Sequence, residues 1–343
     1  MAWQSVHYIE HPSVSAFAAL ADYDTVIFRS MHALVAWNAK QWQTPLWEYP
    51  LVNDKTMGAK ALVQSGHTVI SYNDPAEEAD PRHVIALDSH SGTPLWERSL
   101  DLVISQAGLL TTNERLFVHG YDLASEQYVL QELDFRTGET RAQAPSIGLR
   151  SAAASQAAIF VASPSQLMLH PLHDLQQTSS MAINNTSLLA AEKSVYAHFL
   201  EERTTSFLFW DGPIDRQPTR ITLAAVPSSK VAGAFLAALP GHGQIGFALY
   251  AQGLGVWGID LAQQQIMWQA LHEATALISS LTATPHGLIA RVQGTHPLYS
   301  IDLITGKQQP INTRLVVTHA AFWLNQQLII TGLDEAEIFV WQE

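Results

Sequence analysis

The sequence predicts an all-β fold, a single β-propeller of about eight four-stranded antiparallel blades, with seven as the alternative count. Three observations lead to this prediction. One motif recurs along most of the chain at intervals of about one blade. Short runs of alternating apolar and polar residues, bounded by Gly, Asn, Asp, Pro and Ser, fill the intervals, whereas no segment shows a sustained helical period. The two ends of the chain also look like complementary parts of one blade.

The recurring motif is clearest in TPLWE, which occurs at residues 44–48 and again at 93–97. Each copy follows an alternating apolar run that ends in Asn38 or Asp88. The later residues aligned with these two are Asp134, Asp211, Asp260, Asp302 and Gln342. Residues 167–177 hold a degenerate copy. The copies number eight, and 343 residues shared among eight blades give about 43 residues each, the length of a four-stranded blade.

The two chain ends complete one another. We name the strands of a blade A to D in chain order. The last copy, AEIFVWQE at 336–343, is a C strand with no D strand after it, while AWQSVHYIE at 2–10 resembles the D strands but has no C strand before it. We therefore expect residues 2–10 to be the outer strand of the last blade. This pairing would close the ring, remove exposed edges and make residues 1–343 one domain.

Three of the aligned aspartates are followed by glycine four residues later. The pairs are Asp88 and Gly92, Asp134 and Gly138, and Asp302 and Gly306. An Asp side chain accepts hydrogen bonds from turn amides, and Gly supplies the positive φ that a tight hairpin needs. Because the pair recurs around the ring, we predict a structural role in the C–D turn and not a catalytic one.

Two sets of tryptophans also recur. The D-strand set is Trp3, Trp47, Trp96 and Trp268, and the C-strand set is Trp37, Trp210, Trp257 and Trp341. A large ring at a repeated position fills the wedge between neighbouring sheets. We predict inter-blade packing for both sets, in preference to stacking on a base or a quinone.

The segment IALDSHSGTPLW at 85–96 resembles the pyrroloquinoline-quinone-like (PQQ-like) propeller repeat. That repeat is found in quinoprotein dehydrogenases and in the bacterial outer-membrane assembly lipoprotein. The resemblance covers nearly the whole chain and is most specific in blades one, two, six and seven. It implies a type of blade and no particular activity.

The resemblance does not carry either activity over to this chain. Quinoprotein alcohol dehydrogenases have a vicinal cysteine pair and a calcium site on a much longer chain, whereas this sequence has no cysteine. It also has no insertion large enough to cap a cofactor. We expect no PQQ and no other cofactor. The lipoprotein's role needs an export signal and a lipidated cysteine, and neither is present in the sequence.

The composition restricts the class of partner. With 18 Lys and Arg against 31 Asp and Glu, the net charge is −13, which disfavours binding to nucleic acid or to an anionic membrane surface. The start, MAWQSVHYIEH, has no basic and apolar leader pattern. The longest apolar run, at 231–240, is too short to span a bilayer. We expect a cytoplasmic protein without membrane insertion.

The 15 histidines show no zinc-protease signature. Those in or beside predicted hairpins are His32, His67, His83, His90, His119, His170, His173, His242 and His296. His7 and His11 would lie about 13 Å apart on a strand, and His170 and His173 would face opposite sides. Neither pair is expected to share a metal ion.

Other motifs give no site either. The acidic segment NDPAEEADP at 73–81 lacks the ligand spacing and glycine of a calcium loop, so we predict a solvated B–C hairpin. GHGQIG at 241–246 lies between predicted strands, and there is no nucleophile elbow, phosphate loop or dinucleotide fingerprint. We therefore predict no catalytic, cofactor-binding or metal-binding residues.

Two functions remain open from the sequence. The first is a non-catalytic scaffold that binds protein partners through its loop faces, as a subunit of a larger bacterial assembly. The alternative is an enzyme or a small-ligand or sugar-binding propeller with its site at the mouth of the central channel. The A strands favour the first, because ALVQSG (61–66), LRSAAASQ (149–156), SLLAAEKS (187–194) and SLTATP (280–285) are small and largely uncharged.

Overall fold

The structure is a computed structural model of the 343-residue chain. It describes residues 2–342 except for 12–17, 23, 30–32, 52–60, 65, 73–81, 184–186, 192–193, 202–203, 212–217, 224–230, 239–244, 252–254, 261–262, 264, 272–277, 293–297, 316–317, 319 and 333. The expectations for the acidic segment 73–81, for residues 241–244 and for His32, His242 and His296 lie outside the described residues.

The described part of the chain is built from strands arranged in eight four-stranded sheets. The first strand, β1 (Ala2–Glu10), belongs to the last blade. Blade 1 contains β2 (Ala18–Asp22), β3 (Thr25–Arg29), β4 (Ala33–Asn38) and β5 (Pro45–Pro50). Blade 2 contains β6 (Ala61–Gln64), β7 (His67–Tyr72), β8 (His83–Asp88) and β9 (Pro94–Ser99). Blade 3 contains β10 (Leu102–Thr112), β11 (Arg115–Asp122), β12 (Gln127–Leu133) and β13 (Thr140–Pro145).

The remaining blades follow in chain order. Blade 4 contains β14 (Ser151–Ala154), β15 (Ala158–Ala162), β16 (Gln166–Pro171) and β17 (Ser179–Ala182). Blade 5 contains β18 (Ser187–Ala191), β19 (Ser194–Glu201), β20 (Thr204–Asp211) and β21 (Thr219–Leu223). Blade 6 contains β22 (Val231–Ala238), β23 (Ile245–Ala251), β24 (Val256–Asp260) and β25 (Gln265–Ala270). Blade 7 contains β26 (Ile278–Thr284), β27 (Gly287–Val292), β28 (Leu298–Ile301) and β29 (Gln308–Pro310), and blade 8 contains β30 (Ala320–Leu324), β31 (Gln327–Thr331), β32 (Glu335–Gln342) and β1.

Each sheet is an antiparallel meander in which neighbouring strands pair in the order A, B, C, D. The count of eight blades is confirmed, including the degenerate fourth blade. Consecutive A strands contact each other around the molecule, and β30 of blade 8 contacts β2 of blade 1. No helix of the described residues is long and apolar enough to cross a membrane.

The predicted pairing of the two chain ends is confirmed. β1 lies antiparallel to β32, and the register runs from Ala2 opposite Gln342 to Glu10 opposite Glu335, with an irregularity between Ser5 and His7. Blade 8 therefore takes its D strand from the start of the chain. That residues 1–343 form a single domain stays a prediction.

The apolar core lies between neighbouring sheets and not within one central layer. At the junction of blades 8 and 1, for example, Phe28 and Val35 pack with Ile329 and Ile338, and all four are fully buried. Six further clusters each combine buried residues of two consecutive blades. The seams between blades therefore supply most of the buried apolar surface that stabilises the fold.

The meander order fixes the side on which each connection lies. In an up-and-down sheet the A–B and C–D turns are on one side of the ring, and the B–C turns are on the other. We call the first side the turn face. The D strands form the rim, and prolines at their ends, such as Pro45, Pro50, Pro94 and Pro145, limit pairing with other chains because proline offers no N–H.

Candidate functional site

The aspartates of the C–D turns cap the turn backbone. Asp88 Oδ1 accepts hydrogen bonds from the amides of His90 (3.1 Å) and Ser91 (2.7 Å). The amide of Gly92 donates to the Asp88 carbonyl (2.8 Å), and Gly92 has a φ of 70°. The C–D turns of blades 3 and 7 have the same arrangement. The predicted turn role of this Asp–Gly pair is confirmed.

These hydrogen bonds keep the turn carboxylates ionised. The hydroxyl of Thr305, together with the amides of Thr305 and Ile304, lowers the pKa of Asp302 despite some burial. The amide of Arg136 is the main cause of the lowered pKa of Asp134. Hydrogen bonds to a charged acceptor are stronger than those between neutral groups. The turns therefore present a firmly held loop backbone on the turn face.

Three D-strand indoles each lie over a glycine in the C–D turn of the next blade. Trp47 Nε1 donates to the Ser89 carbonyl (3.0 Å), and a Cβ added to Gly92 would be 2.6 Å from the ring. The complete pairs are Trp47 over Gly92, Trp96 over Gly138, and Trp268 over Gly306. We call this contact the indole latch. Because a side chain at the glycine would displace the ring, the latch requires both partners, and the predicted inter-blade packing of these tryptophans is confirmed.

The prediction that Trp3 shares this D-strand position is wrong. Each latching indole pairs with the residue two places before the turn aspartate and follows a bulged residue, as Trp47 follows Leu46. In blade 8 the same bulge occurs at Val6, so His7 holds the latch position. β1 has no turn that fixes its alignment with β32, and the tryptophan in its sequence suggested the wrong register. Trp3 instead donates from Nε1 to Ser300 Oγ of blade 7 (3.3 Å).

The C-strand register of blade 8 also differs from the prediction. Leu328 pairs with Phe339, just as Val26 pairs with Trp37 in blade 1. Phe339 therefore corresponds to Trp37, and the aspartate position is Val340, not Gln342. β32 continues past this point to Gln342.

Two C-strand tryptophans pack between blades as predicted. Trp37 is buried with Ile329 and Ile338 of the preceding blade. Trp210 is buried against Phe160 of blade 4, with ring centroids 5.1 Å apart. Trp341 lies beyond the corresponding position, in the extension of β32.

The seam between blades 8 and 1 uses a different latch. Trp42 occupies the C–D turn position that is Gly92 in blade 2, since its amide donates to the Asn38 carbonyl (3.1 Å) and its φ is 48°. Its ring is buried, and its Nε1 donates to Gln327 Oε1 of blade 8 (3.3 Å). Gln327 Nε2 donates in return to the Ala39 carbonyl (3.3 Å). The indole of this seam therefore comes from the turn of blade 1 and not from the D strand of blade 8.

Aromatic rings gather on the turn face where blades 7 and 8 meet. Trp3 contacts Trp341 and Trp323 edge to face, with centroids 5.1 and 5.9 Å apart. His286, in the A–B turn of blade 7, stacks on Trp341 with centroids 5.2 Å apart and planes at 6°. The three indoles are half-buried and His286 is exposed. We call Trp3, His286, Trp323 and Trp341 the closing patch.

An exposed aliphatic residue lies on the same face. Ile304, in the C–D turn of blade 7, is 70% exposed, more than any other large apolar side chain among the described residues. Its turn is held by Asp302, so the side chain projects from an ordered backbone. Together with the closing patch, Ile304 makes blades 7 and 8 the candidate interaction site of the turn face.

Two histidines are buried in blades 3 and 4. Residues 105–108 of β10 form a bulge opposite the single residue His119. His119 Nε2 donates to the Ile147 carbonyl (2.9 Å), and its Nδ1 accepts from Ser105 Oγ (2.9 Å). Burial lowers the pKa of His119 to about 4. His170 is also fully buried, and burial lowers its pKa.

The Ser105–His119 hydrogen bond resembles the contact between a serine nucleophile and its general base. However, His119 is 0% exposed and both ring nitrogens are engaged within the fold. A general base must reach the proton of a substrate-facing group. The pair instead fixes the bulge, and Gly108 reinforces it because a Cβ there would be 2.4 Å from the His119 carbonyl oxygen. No pattern in the sequence predicted this bulge.

The other candidate ligands are dispersed. His7 lies on β1, His11 follows that strand, and the rings of His11 and Trp37 are in edge contact. His170 is inside β16, whereas His173 is exposed in the loop that follows. Among the residues that the structure describes, no three His, Asp or Glu side chains lie close enough to hold a metal ion.

Two of the innermost strands, β14 and β26, present small polar or alanine side chains, whereas β30 carries Phe322 and Trp323. Ser151, Ala152 and Ala154 of β14 are partly exposed, as are Ser280 and Thr282 of β26. These groups supply neither carboxylates nor bases for catalysis at the channel mouth.

The eight meander sheets, joined through their seams, define the chain as a β-propeller. No family model matches the sequence, and no curated protein matches it either. Solved structures do match over nearly the whole chain. BamB from Moraxella catarrhalis has 13% identity and a TM-score of 0.68, with 99% of this chain and 100% of that chain covered. Sqt1 from Saccharomyces cerevisiae has 10% identity and a TM-score of 0.67, with both chains covered completely.

A third match is the computationally designed Ika8 protein. It has 10% identity and a TM-score of 0.66, with 98% of this chain and 100% of that chain covered. At such identities these likenesses show the fold alone. They confirm the β-propeller fold, and with it the fold-level resemblance that the repeats predict.

Proposed function

We propose that the protein is a non-catalytic scaffold that binds a protein partner through the turn face of blades 7 and 8. We further propose that it acts in the cytoplasm as a subunit of a larger bacterial assembly. The observation that carries the proposal is the exposure of Ile304 on the same face of the ring as the closing patch. An exposed aliphatic side chain on a face that also presents half-buried indoles has the composition of a binding hot spot.

The rigidity of the site supports this proposal. The turn that carries Ile304 is capped by Asp302. It is also held by Trp268 of blade 6, whose Nε1 donates to the Leu303 carbonyl (2.9 Å). A partner that covers this face would therefore order few additional groups, which lowers the entropic cost of association. The net charge of −13 favours a partner whose contact surface is neutral or basic.

The channel-mouth enzyme or ligand-binding propeller is the second candidate. The small side chains on β14 and β26 give it less support than the exposed apolar site gives the scaffold. Several convergent carboxylates or histidines around one end of the channel would reverse this order.

The test uses two matched variants, Ile304→Asp and Leu123→Asp. Leu123 is 47% exposed on the B–C turn of blade 3, on the opposite side of the ring. Affinity capture from the native host, followed by a titration of the captured protein, should show that Ile304→Asp weakens binding about 10- to 100-fold. Leu123→Asp should bind like the unmodified chain.

Two results would contradict the scaffold proposal. One is equal binding of the partner by both variants, which would refute the proposed site on blades 7 and 8. The other is a chain that captures no protein while a small molecule or sugar raises its melting temperature, since a specific ligand stabilises the folded state by mass action.

A further inference from the structure

β1 is attached to the rest of the molecule differently from the other D strands. The other D strands follow their C strands along the chain, whereas β1 meets β32 from the opposite end of the sequence. Among the strands that the structure describes, β1 pairs with β32 alone, and its other edge lies on the rim. Apart from the segment that connects it to β2, β1 is therefore attached by strand pairing and side-chain contacts.

The seam between blades 8 and 1 is held mainly by residues outside β1. Trp42 and Gln327 join the two blades by reciprocal hydrogen bonds. The buried cluster beneath them is formed largely by blade 1 and by β31 and β32, and β1 adds only Ile9. His7, at the latch position of β1, is exposed. Release of β1 would therefore leave blade 8 joined to blade 1.

β1 is recognised at its two ends. Near its start, Trp3 enters the closing patch between Trp341 and Trp323. Near its end, Ile9 is buried, and Tyr8 packs against the core between blades 7 and 8. Gln4 and the bulged Val6 between these ends are exposed. The position beside β32 therefore fits an extended segment that has an indole and, six residues later, an aliphatic side chain.

We propose that β1 is an exchangeable strand, and that residues 2–10 of a second copy of this chain can take its place on β32. A second copy is the occupant because its residues 2–10 reproduce the backbone register and both side-chain anchors seen in the structure. Exchange conserves the β1–β32 contacts and alters only the path of the connecting segment, which makes it a low-cost route to a dimer. Such a dimer would join two propellers and leave the turn-face site of each one complete.

The first experiment measures exchange with a peptide. A protease site is placed in residues 12–17, the folded chain is cut there, and labelled peptide of residues 1–11 is added. We expect the peptide to replace the cut strand under conditions in which the other blades stay folded. The Trp3→Ala peptide should bind at least about 10-fold more weakly, because the Trp3 ring packs against two other indoles. The Gln4→Ala peptide should match the original, because Gln4 is exposed.

Three results of the peptide experiment would overturn the proposal. One is exchange that occurs only at the denaturant concentration that unfolds the whole chain. Another is equal binding of the Trp3→Ala and Gln4→Ala peptides. The third is uptake of a scrambled peptide as readily as the original.

The second experiment uses the uncut chain, in case the cut protein loses its fold. Donor- and acceptor-labelled copies are mixed, and dimers that survive dilution are counted by energy transfer. A short connector holds β1 at an effective concentration of order millimolar, so dimers should appear as the protein approaches that concentration and be rarer for Trp3→Ala. No lasting dimer at millimolar protein would overturn the proposal. Neither experiment bears on Ile304, so the scaffold proposal is tested separately.

Discussion

His119 makes the stability of blade 3 depend on pH in a window set by its burial. The Ile147 carbonyl can only accept, so His119 carries its proton on Nε2, and Nδ1 accepts from Ser105. The ring is therefore neutral in the folded state, and its pKa is lowered from 6.5 to about 4. An unfolded chain binds a proton to this ring near its ordinary pKa. Burial thus keeps the ring neutral in the folded state down to about pH 4. Between the folded and unfolded pKa values the unfolded state holds more protons than the folded state, so stability falls as the pH falls.

The size of the effect follows from the shift. A change from 6.5 to about 4 corresponds to roughly 3 kcal/mol, at 1.36 kcal/mol for each pKa unit. The contribution is fully present above about pH 6.5, is lost as the pH approaches 4, and does not change further below that. The pKa of His170 is also lowered by burial, so that histidine adds a loss of the same sign. The turn aspartates have lowered pKa values, so their losses come at lower pH.

The assay compares the chain with His119→Gln, which keeps an amide donor near Ile147 and removes the titrating ring. Denaturant unfolding is followed by tryptophan fluorescence at several pH values from 7.5 to 4, with exposed His173→Gln as the control. The unmodified chain and the control should lose about 3 kcal/mol more than His119→Gln over this range. Parallel stability curves for all three proteins would refute the assignment of a buried neutral ring to His119.

Three further predictions concern the seams. Gly92→Ala should lower the free energy of unfolding, measured with denaturant, by about 2 kcal/mol more than Gly66→Ala, because both glycines have positive φ but only Gly92 lies under an indole. Equal losses of stability in the two variants would contradict the proposed latch. Trp42→Gly should lower the free energy of unfolding by about 3 kcal/mol. Adding His7→Trp to that variant should recover part of the loss, because it restores the latch of the other seams. If the two substitutions instead cause additive losses, His7 does not hold the position of the latching tryptophans. Removing residues 1–10 should expose the edge of β32, lower the melting temperature and cause association; an unchanged melting temperature with monomeric elution would contradict the closure.

The sequence predicted the parts of the fold that repeat. The Asp–Gly spacing at Asp88 and Asp302 marks a turn whose chemistry is local, and the tryptophan of TPLWE follows that turn at a fixed distance. Where a turn connects two strands, its length sets their register. The blade count and the inter-blade packing of Trp47 and Trp96 could therefore be derived without coordinates, whereas the contact of each indole with a turn glycine could not.

The register of β1 could not be derived in this way, because no turn ties it to β32. Trp3 matched the motif by residue type, yet the bulge at Val6 shows that His7 holds the equivalent position. A bulged, exposed aliphatic residue just before the latch position, such as Leu46 or Leu95, was the signal that could have found it. An alignment on that residue would have placed the strand correctly.

The site on the turn face could not be predicted from the sequence either, because its residues do not follow the repeated motif. Trp42 replaces the expected glycine, so a search for the motif passes over it. In the closing patch, Trp3 meets His286 and Trp341 only because the two ends of the chain pair. The bulge around His119 depends on contacts with a neighbouring strand and a following loop.

The indole latch is directional around the ring, and this direction determines where a blade could be duplicated. In the seams after blades 1, 2 and 6, the earlier blade supplies the indole and the later blade supplies the glycine. A duplicated blade with both features could be inserted at any of these points, and the new joint would resemble its neighbours. Between blades 8 and 1 the direction is reversed, because the indole of Trp42 comes from the later blade. A duplicated blade could not be inserted at that seam without new contacts, so the seam between blades 8 and 1 limits where the number of blades can change.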